Sequence, residues 1–406
     1  MVDCETLEAT CAEKGPLAAL DSLENHLRES RDYSGWFYTL LMRSRYKLDL
    51  PPTPTAPAEE IIEAHQEVYE ESIRQAGRTV GQAALQNGQL DAAWQFYKLL
   101  GEPEPVRQAL LARLPGENDD WEVPIRLAFY EGLAPELGFE WVLARYGLCN
   151  AITTLSQETP GGPAVRQHCL RAMVRALRDE LWQRLHADLR HREHAANAPV
   201  PVEGDPENGG DAAYETVPFV KAPPAGPGDL PRLLDQHPEL TVEDSYHIDL
   251  SHLQSTVQFA AQLETCPERT LARELCDYGK RLKGRFVPHG EPPFEGFFTG
   301  WDHFLAAMEG DDLPLRLAYF QGHAEKAAGE GNPYPAEIWL DLLKKLGRDR
   351  EALQAAAICQ SASALRGPCR ELKDFRPMRE AARRQKDPVH FLAAILEQRA
   401  LEPRAR

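Results

Sequence analysis

The chain has 406 residues, 43% of them apolar, and a formal net charge of -18, so it is long enough for two domains or one extended repeat array. That acidity excludes general nucleic-acid binding, which needs a basic footprint. No run approaches the ~18 consecutive apolar residues of a membrane span, and MVDCETLEATCAEKG at the N-terminus has acids where a secretory signal carries basic residues. The eight cysteines include no Cys-x-x-Cys pair, so they read as reduced, small hydrophobic side chains rather than a zinc or thioredoxin motif. These features predict a soluble, cytoplasmic protein with no membrane segment.

Leu17, Leu20, Leu23 and Leu27 recur every three to four residues and predict a first helix. WFYTLLMRSRYKL predicts a second, stopped by Pro51 and Pro52. After a Pro/Thr linker, a long helix is expected to about Gln86, where Asn87-Gly88 supplies a left-handed cap. Asp91 to Leu100 predicts its partner, and Pro103 and Pro105 break the chain before a short helix to Leu114. Helices follow over Trp121–Glu131 and Pro135–Tyr146. LCNAITTLSQETPGG is β-branched and polar, and reads as a loop. From Val165 to about His194 the apolar positions Leu170, Val174, Leu177, Leu181, Leu185 and Leu189 mark one buried face of a long helix.

Composition changes at residue 195. Up to 231 the chain is rich in Pro, Gly and acids and lacks the apolar surface to offset ordering entropy. The expected organisation is therefore a helical half over 1–194, a flexible linker over 195–231 and a second helical half over 232–406. The second half carries helical patterns at Leu250–Leu263, Glu268–Leu282, Trp301–Glu309, Leu315–Ala328, Pro335–Leu346, Arg350–Gln360, Arg370–Gln385 and Pro388–Ala400. From Arg366 onward eleven Lys/Arg face six Asp/Glu, a net of +5 on a chain that is otherwise about -23. No segment of useful length alternates with a two-residue period, so no substantial sheet is expected.

Two internal similarities stand out. VPIRLAFYEG (Val123–Gly132) aligns without a gap on LPLRLAYFQG (Leu313–Gly322), which suggests related helical units. In Val80–Pro105, Gly81, Gly88, Leu90, Ala93, Tyr97 and Pro105 occupy the positions of a helical hairpin with small residues at the crossing. This segment resembles the tetratricopeptide-like superfamily of α-helical repeats. Glu337–Ala357 resembles it more thinly, with Gly347 at the turn and Ala352 at the crossing. The resemblance implies an all-α, irregular solenoid of stacked hairpins with a face for protein or peptide partners. It carries no individual ligand residues over, because their usual positions do not match.

For chemistry, EDSYHIDLSHLQS is the densest cluster of candidate metal ligands. His247, Asp249 and His252 are types that bind a divalent metal such as zinc or manganese. On a continuous helix the two histidines would lie about 140° apart, so sharing a metal needs His247 outside the helix. The competing reading has Asp249 capping the helix while the histidines hydrogen-bond locally. Residues 286–304 form an aromatic-rich segment that could cover such a site as a lid. The candidate pocket is thus Tyr246, His247, Asp249, His252, His289, Glu295, Trp301 and His303. No phosphate-binding glycine loop, hydrolase elbow or HExxH motif occurs. A protein- or peptide-binding scaffold without a cofactor is the leading expectation, and a metal-dependent or acid/base enzyme at His247, Asp249 and His252 the alternative.

Overall fold

A computed structural model describes residues 3–53, 63–114, 116, 120–197, 221–242, 247–283, 294, 296–330, 332–359 and 362–401. Among the described residues there are nineteen α-helices and no strand, so the protein is all-α. The chain divides into two compact units: residues 1–147 with 158–166, and 148–157 with 167–406.

The first unit contains α1 (Cys4–Lys14), α2 (Pro16–Ser30), α3 (Tyr33–Lys47), α4 (Glu63–Gln86), α5 (Leu90–Leu100), α6 (Glu104–Leu111) and α7 (Glu122–Ile125), then the start of α8 (Pro135–Leu155). Helix α1 was not expected from periodicity because it buries no side chain. Asp3 holds its start by accepting from the Thr6 N–H at 2.8 Å. The hairpin α4–α5 forms where Val80–Pro105 predicted it, with Gly88 at φ 73° in the turn. Its close approach depends on Gly81: a Cβ there would meet the Tyr97 ring at 2.8 Å. Val80, Ala84 and Ala93 are completely buried around that crossing.

The Pro-x-Arg-Leu-Ala similarity does not yield matching structures. Arg126–Tyr130 winds as a π-helical turn that stops at Gly132, φ 75°. The matching residues of the second unit lie inside the unbroken helix α14 (Leu313–Gly329).

Two sequence expectations need correction. The stretch expected as a loop after Tyr146 is helical to Leu155, beyond a break at Gly147 (φ 74°, ψ -174°). Burial of Leu148, Ala151 and Leu155 outweighs the β-branched composition, and Thr153 and Thr154 donate back to carbonyls four residues earlier. Residues 221–231, assigned to the linker, belong to the second unit; 198–220 lie outside the described residues. The compact units part at 147/148, at 157/158 and, within α9, at 166/167.

The second unit continues with α9 (Gly162–Asn197), α10 (Asp229–Gln236), α11 (Leu250–Ala260), α12 (Glu268–Arg281), α13 (Phe297–Glu309) and α14. It ends with α15 (Tyr334–Lys345), α16 (Asp349–Cys359), α17 (Arg366–Glu371), α18 (Arg376–Gln385) and α19 (Pro388–Leu401). The single helix expected over Arg370–Gln385 is thus two, parted by Lys373 at φ 54° and Pro377 at the α18 start. From α13 onward each helix packs on its neighbour, and α13 and α14 also reach α15 and α16 respectively. Phe304, Phe320, Trp339, Leu342, Phe375 and Met378 anchor one apolar core along this stack.

The segment Lys221–Gly228 is tied to α9 through its backbone. Trp182 Nε1 donates to the Pro223 carbonyl at 2.8 Å, and the Gln183 amide exchanges two hydrogen bonds with Ala222. Arg178, 1% exposed, donates to the carbonyls of Ala225 and Gly226 and to Glu274, itself 4% exposed. A buried guanidinium needs such a full set of acceptors. The composition that suggested mobility is held in place because larger neighbours supply the hydrogen bonds.

Candidate functional site

Asp249 caps α11. Its Oδ1 accepts from the backbone N–H of Ser251 at 2.7 Å and of His252 at 3.3 Å, and from the Ser251 hydroxyl. The Ser251 bonds hold its carboxyl below the usual carboxylate range. His247 precedes the helix and turns inward, 8% exposed. Its Nδ1 lies 3.2 Å from the Tyr278 hydroxyl on α12, and its Nε2 lies 3.0 Å from Asp188 Oδ2 on α9. The Tyr278 oxygen also accepts from the His247 backbone N–H at 3.3 Å. In a neutral imidazole a ring proton on Nε2 points at Asp188.

Burial pushes the Asp188 carboxyl up, but hydrogen bonds from Arg192 and His247 outweigh it and leave it below its ordinary value. This Asp–His–Tyr line has the components of a general-base relay. Both imidazole nitrogens are nevertheless engaged, and Tyr278 is completely buried. A general base needs a nitrogen facing its substrate. The arrangement therefore clamps the segment before α11 onto α9 and α12.

His252 is half-buried on α11, where its backbone N–H joins the cap on Asp249. Among the described residues no group of three or more His, Cys, Asp or Glu is placed to hold a metal ion. The metal expectation at His247, Asp249 and His252 is thus corrected: the helix terminus takes the carboxylate, and Asp188 and Tyr278 take the imidazole. Tyr246, His289 and Glu295 lie outside the described residues.

Trp301 and His303 lie on α13 in a separate aromatic cluster. Trp301 lines an apolar cavity with Phe294, Phe297, Gly300, Phe320, Tyr334 and Ile338. Its volume, ≈ 20 Å³, holds about one water-sized sphere. His303 stacks on Tyr319 with centroids 4.0 Å apart, and its Nδ1 accepts from Arg316 at 3.1 Å. Burial and the Arg316 charge hold its pKa below the ordinary histidine value. Beneath it Arg273 joins Asp302, Glu309 and Asp311, and Lys280 also reaches Asp302. These contacts tie α12 to α13.

An open groove lies at the last hairpin. Ala382, Arg383, Lys386, Asp387, Pro388 and Phe391 line a groove of ≈ 310 Å³ at the α18–α19 turn. The Arg383 guanidinium lies 5.3 Å from the centroid of the Phe391 ring. From the groove α19 carries a stripe of large apolar side chains into solvent: Val389 is 72% exposed, Leu392 55% and Leu396 56%. Their spacing, i, i+3 and i+7, places them on one face. The opposite face packs on α18 and buries Ala394. In the sequence this end is marked by its net charge of +5 from Arg366 onward; the Val-x-x-Leu-x-x-x-Leu spacing of α19 is the signal that marks the stripe.

No protein-family model, curated protein or solved structure matches the chain. No described helix is long and apolar enough to cross a membrane.

Proposed function

We propose that this protein is a helical scaffold that binds another protein or peptide, with its contact surface on the α18–α19 hairpin. The observation that carries the reading is the apolar stripe Val389, Leu392 and Leu396. Side chains of this size on one helical face lose favourable burial unless a partner covers them, about 25 cal/mol per Å² of apolar surface. The two clusters with chemically versatile side chains, at His247 and His303, are both committed to internal contacts, which favours binding over catalysis. The α4–α5 and α15–α16 hairpins, with Gly88 and Gly347 in their turns and Ala93 and Ala352 at their crossings, support a tetratricopeptide-like, irregular solenoid as the type of scaffold. All eight cysteines are unpaired, which supports a reducing compartment such as the cytoplasm.

A photo-crosslinking residue placed at Leu392 tests the reading in the native cell. A discrete protein adduct is expected from that position and not from exposed Glu330 on α14's far end. Equal yields from the two positions, or no adduct from Leu392, would overturn it.

A further inference from the structure

The geometry points to an acidic amphipathic helix as the occupant of the α18–α19 surface. This inference rests on reading that surface as a contact site and names the chemistry of what covers it. Three observations carry it.

The first is unneutralised charge. Arg379, Arg383, Arg384 and Lys386 are exposed on α18, and Arg399 follows Leu396 by one turn on α19. Among the described residues none of these five forms an ion pair. Most nearby acids are already engaged: Asp387 caps α19 through Val389 and His390, Glu397 takes Arg366 and Arg370, and Asp374 takes Arg376. Exposed Glu380 is the one acid on α18 among its basic residues, so the surface keeps a positive excess for a carboxylate from outside.

The second is shape. Val389 to Leu396 spans seven residues, about 10 Å along the helix axis at 1.5 Å each. Such a stripe matches the i, i+3, i+7 ridge of another helix. An extended strand, whose side chains alternate every two residues, does not match it.

The third is the sign of the whole chain. A basic apolar surface can also meet an anionic bilayer, but a net charge of -18 opposes every anionic partner beyond about a Debye length, and an extended bilayer meets more of that acidic remainder than one short helix does. An acidic helix reaches the basic patch locally, and the groove between Arg383 and Lys386 accepts one of its carboxylates.

The test uses the full chain and two synthetic helices with leucines at i, i+3, i+4 and i+7. One is flanked by glutamates, the other by lysines. The acidic helix is expected to bind, to weaken about tenfold with Arg383→Glu/Lys386→Glu, to weaken similarly with Leu392→Glu/Leu396→Glu, and to weaken as salt rises. Circular dichroism melts of the variants verify that they fold; all four positions are exposed. Equal binding of both helices, sensitive only to the leucine pair, overturns the charge assignment and leaves the contact surface standing. A wild-type dimer dissociated by Leu392→Glu makes a second copy the occupant and overturns the proposal. Sedimentation of the chain with phosphatidylserine vesicles, lost in Arg383→Glu/Lys386→Glu, makes a membrane the occupant and also overturns it. Binding of neither helix overturns it outright.

Discussion

Asp188 shows how much of this protein's chemistry is spent on holding itself together. It receives Arg192 at 3.0 Å and His247 at 3.0 Å, and both favour its charged form. Its pKa is therefore depressed on folding. The stability it contributes is complete above the ordinary carboxylate value, about 4, and is lost as the pH falls through the lower folded value. Asp188→Asn should cost about 1.5–3 kcal/mol near neutrality, the range for hydrogen bonds to a charged group. The gap between wild type and variant should shrink below about pH 4. Urea melts across that range check it; a gap unchanged at strongly acid pH would mean that these partners do not hold the carboxylate ionised. Arg178 and Glu274 form a second internal pair in a drier setting, where each charge is tolerated because the other, with the backbone of residues 225–228, satisfies it. Arg192 stands four residues from Asp188 on the same helix, but the other pairings are not visible locally, since His247 lies 59 residues from Asp188 and Glu274 lies 96 from Arg178.

Helix α8 shows what one residue does to an element. Its two segments meet at Gly147, whose φ of 74° and ψ of -174° belong to a region open essentially only to glycine. A Cβ there would touch nothing within 4 Å, so space is not the constraint. Gly147→Ala should still destabilise the protein by about 1–3 kcal/mol, purely through the backbone. Thermal melts measure this; an unchanged melting temperature would show that the chain straightens at no cost. Asp249 marks an element boundary in a different way. Its residue type is common to metal sites and to helix caps, and the orphan N–H groups of α11 decide between them by being closer than any second ligand. That outcome was open in the sequence because capping and ligation use the same oxygen.

At the scale of the whole molecule, two compact units imply that unfolding need not be one event. Two glycines report on them separately. A Cβ at Gly81 would meet Tyr97 at 2.8 Å in the first unit, and one at Gly279 would meet the Phe298 ring at 2.4 Å in the second. Each change to alanine should cost about 1–3 kcal/mol by overpacking. Differential scanning calorimetry should show Gly81→Ala lowering one transition and Gly279→Ala another. A single transition lowered equally by both would show that the units unfold together.

Helix content, the α4–α5 hairpin and the basic end were legible in the sequence, because they depend on local signals: apolar period, glycine at turns, small residues at a crossing and runs of charge. Only tertiary structure decided the helicity of Leu148–Leu155, the docking of Lys221–Gly228, the different windings of the two Pro-x-Arg-Leu-Ala segments and the inward turn of His247. Each of these depends on partners remote in the chain. Burial and unmet hydrogen bonds in the surrounding fold override composition there, and a residue's type does not state which of its possible partners will be nearest.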